Sequence, residues 1–189
     1  MTATIAEHNK VAAAAWNRGG ADYDGVSAQL ADALSHAVQR LWPGPGEDIL
    51  EVATATGWVA RDLARSGATV TAIDIAEREV EAARALSAHV NLPIDFQVAD
   101  AEALPFGDAN FDKVISTFGV MFAGDQQHAA TELARFRLWR AASRKKRERP
   151  SNGTSLTITT ALVIFRHLCA SFVIAGLDPL PLRQSRATR

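Results

Sequence analysis

Three acidic residues, Glu51, Asp74 and Asp100, stand 23 and 26 residues apart, about one strand-and-helix unit each. Glu51 and Asp74 fall at the ends of short apolar runs and Asp100 follows a third. The spacing therefore predicts all three on one rim of a sheet, beyond the carboxyl ends of successive strands. A carboxylate accepts hydrogen bonds from paired hydroxyls, an ammonium or an amino group. One such acid is ordinarily a helix cap or a solvated loop residue, whereas three at successive strand ends describe a site for a ligand rich in donors. After the first acid the chain reads V-A-T-A-T-G, small residues that let backbone come close to a ligand. The other reactive residue types do not assemble. His8, His36, His89, His128 and His167 lack metal-ligand spacing, Cys169 is the single cysteine, and Ser66 and Ser116 lack the setting of a nucleophile elbow. No metal site is expected. Trp16, Tyr23 and Trp58 read either as core or as a border of the pocket.

Strands must alternate with helices to position those acids. Residues 48–52, 69–74 and 94–98 read as strands from their apolar or alternating composition, and a fourth, residues 111–118, follows the turn at Gly107-Asp108. A helix opens after Gly57 with Val59 and Leu63 inward and stops at Gly67. Residues 77–89 predict another, with Val80, Ala83 and Leu86 on one face and Glu77, Glu79 and Glu81 near its start, where the helix dipole favours acids. Upstream, residues 11–16 and 26–41 predict two amino-terminal helices, the second with Val26, Leu30, Leu34, Val38 and Leu41 inward before Pro43-Gly44-Pro45-Gly46. Such alternation implies a doubly wound α/β fold whose parallel sheet is covered on both faces. In such sheets ligands sit beyond the carboxyl ends of the strands.

Four stretches in this order carry a family resemblance: I-L-E-V-A-T-A-T-G-W-V-A, T-A-I-D-I-A, V-A-D-A-E-A-L-P-F and F-D-K-V-I-S-T-F-G-V-M-F. From about residue 16 to residue 135 the chain resembles class I S-adenosylmethionine-dependent methyltransferases of the small-molecule, UbiE-like type. The resemblance implies a Rossmann-like fold, S-adenosyl-L-methionine as cofactor and a small-molecule methyl acceptor that it does not identify. It also implies roles. Glu51 and the backbone of the turn at Ala53, Ala55 and Gly57 would hold the methionine moiety, and Asp74 the ribose hydroxyls. Ile75 would pack on the adenine face, Asp100 would accept the adenine amino proton, and Ala101 would give its N–H to the ring. No catalytic residue is implied, because the sulfonium already activates the methyl. A dinucleotide is the competing ligand, but its turn needs several glycines and only Gly57 stands here.

The chain departs from the family in two places. Ala53 and Ala55 stand where the pattern has glycine, and beyond residue 135 the resemblance ends. Composition changes at the same point. Residues 1–135 hold nine basic and nineteen acidic residues, while residues 136–189 hold eleven and two, so a net −10 is followed by +9 within a chain of net charge −1. The expected organisation is an incomplete cofactor-binding domain over 1–135 and an atypical basic tail over 136–189, foreign to the domain or read from a shifted frame. The expected function is methyl transfer, weak or absent in this chain. The alternative is a non-catalytic protein that contacts acidic partners or nucleic acid through residues 137–149, without sequence specificity. The apolar run at 156–177 has Arg166 and His167 at its centre, so a strand or helix on the sheet edge is expected there and no membrane span. No basic-then-apolar leader opens the chain, and the expected location is cytoplasmic.

Overall fold

The computed structural model describes residues 5–108, 110–143, 161–163 and 172–175. The apolar runs form strands β1 (Asp48–Val52), β2 (Thr69–Asp74), β3 (Ile94–Val98) and β4 (Lys113–Thr117). All are parallel, in the order β3-β2-β1-β4. Glu51 is in register with Ala72 on one side and Ile115 on the other, and Asp74 with Val98. The fourth strand is shorter than the expected 111–118. Phe111 leaves the sheet to pack edge-on against Phe106 and Phe136, and Phe118 turns out of it at φ 60°.

The helices are α1 (Lys10–Trp16), α2 (Asp24–Gln29), α3 (Ala31–Leu41), α4 (Trp58–Arg65), α5 (Glu77–His89) and α6 (Gln126–Ser143). Strand alternation feeds two cores. Ile49, Val70 and Ile115 join Leu34, Leu63 and Val80 of α3, α4 and α5, while Leu50, Val52 and Val114 join Leu133 and Phe136 of α6. The sheet is thus covered on both faces, as the alternation of elements predicts.

The helix expected over residues 26–41 is two helices. The chain bends at Leu30, with φ −102° and ψ 5°, and Val26 and Leu30 are largely exposed instead of inward. The reason is tertiary. Asp24, at the start of α2, accepts hydrogen bonds from Thr56 Oγ1 at 2.9 Å and Trp58 Nε1 at 2.6 Å, which ties α2 to the turn after β1 while α3 packs on α4 and the sheet.

The outer edge of β4 is covered by strands from the apolar run at 156–177, where a strand or helix on the sheet edge is expected. Strand β6 (Phe172–Ala175) pairs antiparallel with β4, and β5 (Ala161–Val163) pairs antiparallel with β6, giving a six-stranded sheet. An apolar segment of alternating bulk satisfies the unpaired N–H and C=O groups of an edge as well as a parallel strand does. The charge reversal after residue 135 falls inside α6. Arg135 donates to the carbonyls of Phe106 and Leu104 at 2.7 Å each, and Phe136 is 1% exposed. Beyond residue 143 the basic run to residue 149, and most of the apolar run at 156–177, lie outside the described residues. Among the described residues no helix is long and apolar enough to cross a membrane, and no group of histidines, cysteines and acids is arranged to hold a metal ion.

Candidate functional site

Chain order reverses between β1 and β4, and a crevice opens there beyond the strand ends. It forms an open cleft with about 1000 Å³ of empty space, open solvent at its mouth included. Seven of the eight residues singled out from the sequence line it: Glu51, Ala53, Ala55, Asp74, Ile75, Asp100 and Ala101. Gly57 stands apart. It takes up φ 82° at the start of α4, and a methyl there would meet the Phe96 ring at 3.0 Å and the Ala83 methyl at 3.2 Å. Its missing side chain serves helix–sheet packing.

Each acid has a different setting. Glu51 is 1% exposed, and burial pushes its carboxyl up to about 8 even though Thr54 Oγ1 donates to it at 2.6 Å. Asp74 bridges two turns. Its Oδ2 accepts the Ala55 N–H at 2.8 Å and its Oδ1 the Ala76 N–H at 3.0 Å, so one carboxylate fixes both the β1–α4 turn and the entry to α5. Burial still raises it above the ordinary range. Asp100 is fully engaged by its own chain. It accepts from the Ala6 N–H at 3.0 Å, the Glu102 N–H at 3.0 Å and the Asn9 amide at 3.1 and 3.2 Å, which fills the roughly four lone-pair positions a carboxylate offers.

The turn itself is strained. Ala53 lies at φ 61° and Ala55 at φ 50°, the left-handed region where an alanine costs roughly 1–2 kcal/mol relative to glycine. The departure from glycine noted in the sequence thus falls on backbone that demands positive φ. Ala55→Gly is expected to raise stability by about 1 kcal/mol, because relief of the left-handed strain exceeds the added freedom of the unfolded chain. Urea denaturation measures it, and a loss of stability would contradict the strain.

The amino-terminal helices close the cleft from above. Trp16 meets Tyr23 edge-on at 6.1 Å and Phe122 at 5.1 Å, and all three line the cleft together with Trp58, so the aromatic residues border the pocket. Two contributors were not singled out from the sequence. Asn9 carries no signal in the alanine-rich opening. Glu79 had one: Ala76, Glu79, Val80 and Ala83 share a helical face at spacings of three and four, and all four are buried. Its place in the first turn suggested only a dipole-favoured surface acid.

Residues 50–137 match the pattern of a family described as a methyltransferase domain. The match takes in just under half of the chain. A Mycobacterium tuberculosis protein of uncharacterised function is 45% identical over 92 residues, which cover 49% of this chain and 34% of its own length. The demethylmenaquinone methyltransferase of Corynebacterium kroppenstedtii is 35% identical over 97 residues, 51% of this chain and 40% of that one. The YcgJ protein of Bacillus subtilis superposes with a TM-score of 0.53 at 21% identity, covering 56% of this chain and 45% of that one. That likeness is one of fold. The matched stretch spans only about a third of the length of the curated relatives. The methyltransferase domain has the class I fold, in which S-adenosylmethionine is the general cofactor. Its matched region ends at residue 137, one residue beyond the buried Phe136.

Proposed function

We propose that the cleft binds S-adenosylmethionine and that the chain derives from an enzyme transferring its methyl to a small-molecule nucleophile. The observation that carries this reading is the convergence of Glu51, Asp74 and the strained turn at 53–55 on one cleft at the switch point of the sheet. The residues fit the group. Buried carboxyls beside a donor-rich, cationic ligand gain the partners they lack, and small turn residues admit close backbone approach.

In this reading Asp74 holds the ribose through the lone pairs left free by its two backbone hydrogen bonds. Glu51, neutral while the cleft holds no cation, ionises against the ligand's ammonium. Ile75 covers one adenine face and Ala101 offers its N–H to the ring edge. Asp100 takes the adenine amino group only as Asn9 gives way. When bound, the cofactor supplies a methyl already activated by the sulfonium, so the chain's part is orientation and exclusion of water, and no base is assigned. Trp16, Tyr23 and Phe122 roof the acceptor side. Residues 1–135 together with Phe136 form the unit proposed to bind the cofactor, and the acceptor remains defined only as a small molecule.

Calorimetry with S-adenosylmethionine and S-adenosylhomocysteine tests the reading. Binding in the micromolar range is expected, weakened at least about tenfold in Asp74→Asn, which exchanges a charged acceptor for a neutral amide. No heat at millimolar ligand in the unsubstituted chain would sink it.

A further inference from the structure

We propose that Glu79 reads a ribose hydroxyl beside Asp74, so that two acids clamp the diol of the bound nucleoside; this rests on the S-adenosylmethionine reading above. Glu79 is 2% exposed, lines the same cleft, and its Oε1 is buried without a hydrogen-bond partner among the described residues. A buried acceptor left unsatisfied is rare in a folded chain and costs roughly 1–3 kcal/mol. Burial raises the Tyr23 hydroxyl, and Glu79 and Asp74 are close enough to add to it, yet no hydrogen bond from the described residues reaches the Glu79 Oε1. The carboxyl lies under Gly19, where an added methyl would sit 2.8 Å from Oε1 and 3.4 Å from the Trp16 carbonyl oxygen, and the Asp74 carboxylate is its electrostatic neighbour. A buried carboxyl oxygen left unpaired at the cleft wall is completed by a ligand that brings hydroxyls.

Asp74 leaves room for a second acid. Both of its oxygens already accept a backbone N–H, with the Ile75 N–H close beside them, so it is fixed in place by the turns it joins. A second acid beside it accepts a hydroxyl for which those engaged oxygens leave little capacity. Glu79 follows Asp74 by five residues, one turn into α5, on the cleft side of the helix. Burial, with Asp74 as the second cause, raises its carboxyl to about 8. Near neutral pH it therefore carries a proton and both donates and accepts, which suits a hydroxyl. The Asp74 carboxylate beside it disfavours a phosphate on either ribose oxygen, so the site selects the free diol.

The test is calorimetric titration of S-adenosylhomocysteine and its 2′-deoxy and 3′-deoxy forms into the unsubstituted chain, Glu79→Met and Glu79→Leu. Both substitutions replace an orphaned buried carboxyl by an apolar group of similar size, and thermal unfolding should show neither less stable. One deoxy form is expected to bind the unsubstituted chain about tenfold more weakly than the parent. In the Met and Leu chains that penalty should shrink to within about twofold. An unchanged penalty in both variants, or no penalty in the unsubstituted chain, overturns the role of Glu79 while leaving the cofactor reading intact. If the parent ligand itself fails to bind the unsubstituted chain, the cofactor reading falls and takes this inference with it.

Discussion

Gly119→Ala is expected to destabilise the domain by roughly 3 kcal/mol or more, and Ala53→Gly in the same chain to recover most of that loss. Gly119 follows β4 and packs directly against the turn after β1. A methyl built on it falls well inside contact distance of the Ala53 methyl, while its next neighbours, the Ala53 Cα and Ser116 Oγ, lie at 3.4 and 3.5 Å. The clash is therefore with one group. Neither partner can move cheaply, because Ala53 is held at φ 61° by a turn that Asp74 pins at Ala55. Removing the Ala53 methyl clears the space and also relieves its left-handed strain. Urea denaturation of the two single variants and the double variant gives the coupling energy. If the two effects simply add, the methyls do not meet and the turn is not where it is described.

The second large effect is on pH dependence. Stability is expected to fall as pH rises from about 4.5 to about 8, by several kcal/mol in all. Burial raises both Glu51 and Glu79 to about 8 in the folded chain, whereas unfolded they titrate near 4.5. Below the unfolded value both states are protonated and the contribution is complete. Above it the unfolded chain gives up its protons while the folded chain keeps them, so unfolding gains until the folded carboxyls ionise as well. Asp74 is raised in the same direction. Glu102 acts oppositely: burial pushes it up, but hydrogen bonds from Asn9, the Asp125 backbone and His8 outweigh this and hold it low. Its stabilisation is lost as pH falls below the ordinary carboxylate range. Stability should thus peak near pH 4.5–5, on the acid side of the usual ~5–8. Thermal unfolding from pH 4 to 9 follows the curve, and Glu79→Gln should flatten its upper limb. A flat or rising melting temperature between pH 5 and 8 would be incompatible with buried, proton-holding Glu51 and Glu79.

Most of the parallel sheet was legible because its strands are short, apolar and closed by acids, and periodicity reports burial directly. Ala53 and Ala55 were legible as departures: only a turn that needs left-handed backbone makes an alanine conspicuous there. The bend at Leu30 was not, since no glycine or proline marks it and it arises from Asp24 reaching Thr56 and Trp58, more than thirty residues away. The apolar run at 156–177 was legible as an element on the sheet edge, but not its antiparallel pairing with β4, which is long-range in the same way. Glu79 shows the other kind of miss. Two principles competed for one residue, the dipole preference of a first helical turn and the three-and-four spacing of a buried face, and the second one won. Asn9 had nothing around it in sequence to mark it, because its partner Asp100 lies 91 residues away.

In the proposed reading, that last contact gives binding the character of an exchange. Asp100 accepts four hydrogen bonds from the amino-terminal segment and its own loop, so a nucleoside reaching for the same oxygens competes with residues 6–9 before it gains anything. Affinity then measures a difference between two sets of contacts, and arrival is limited by how often the segment lets go. At rising ligand concentration the observed association rate should level off at that opening rate instead of climbing in proportion, and Asn9→Ala should lift the plateau.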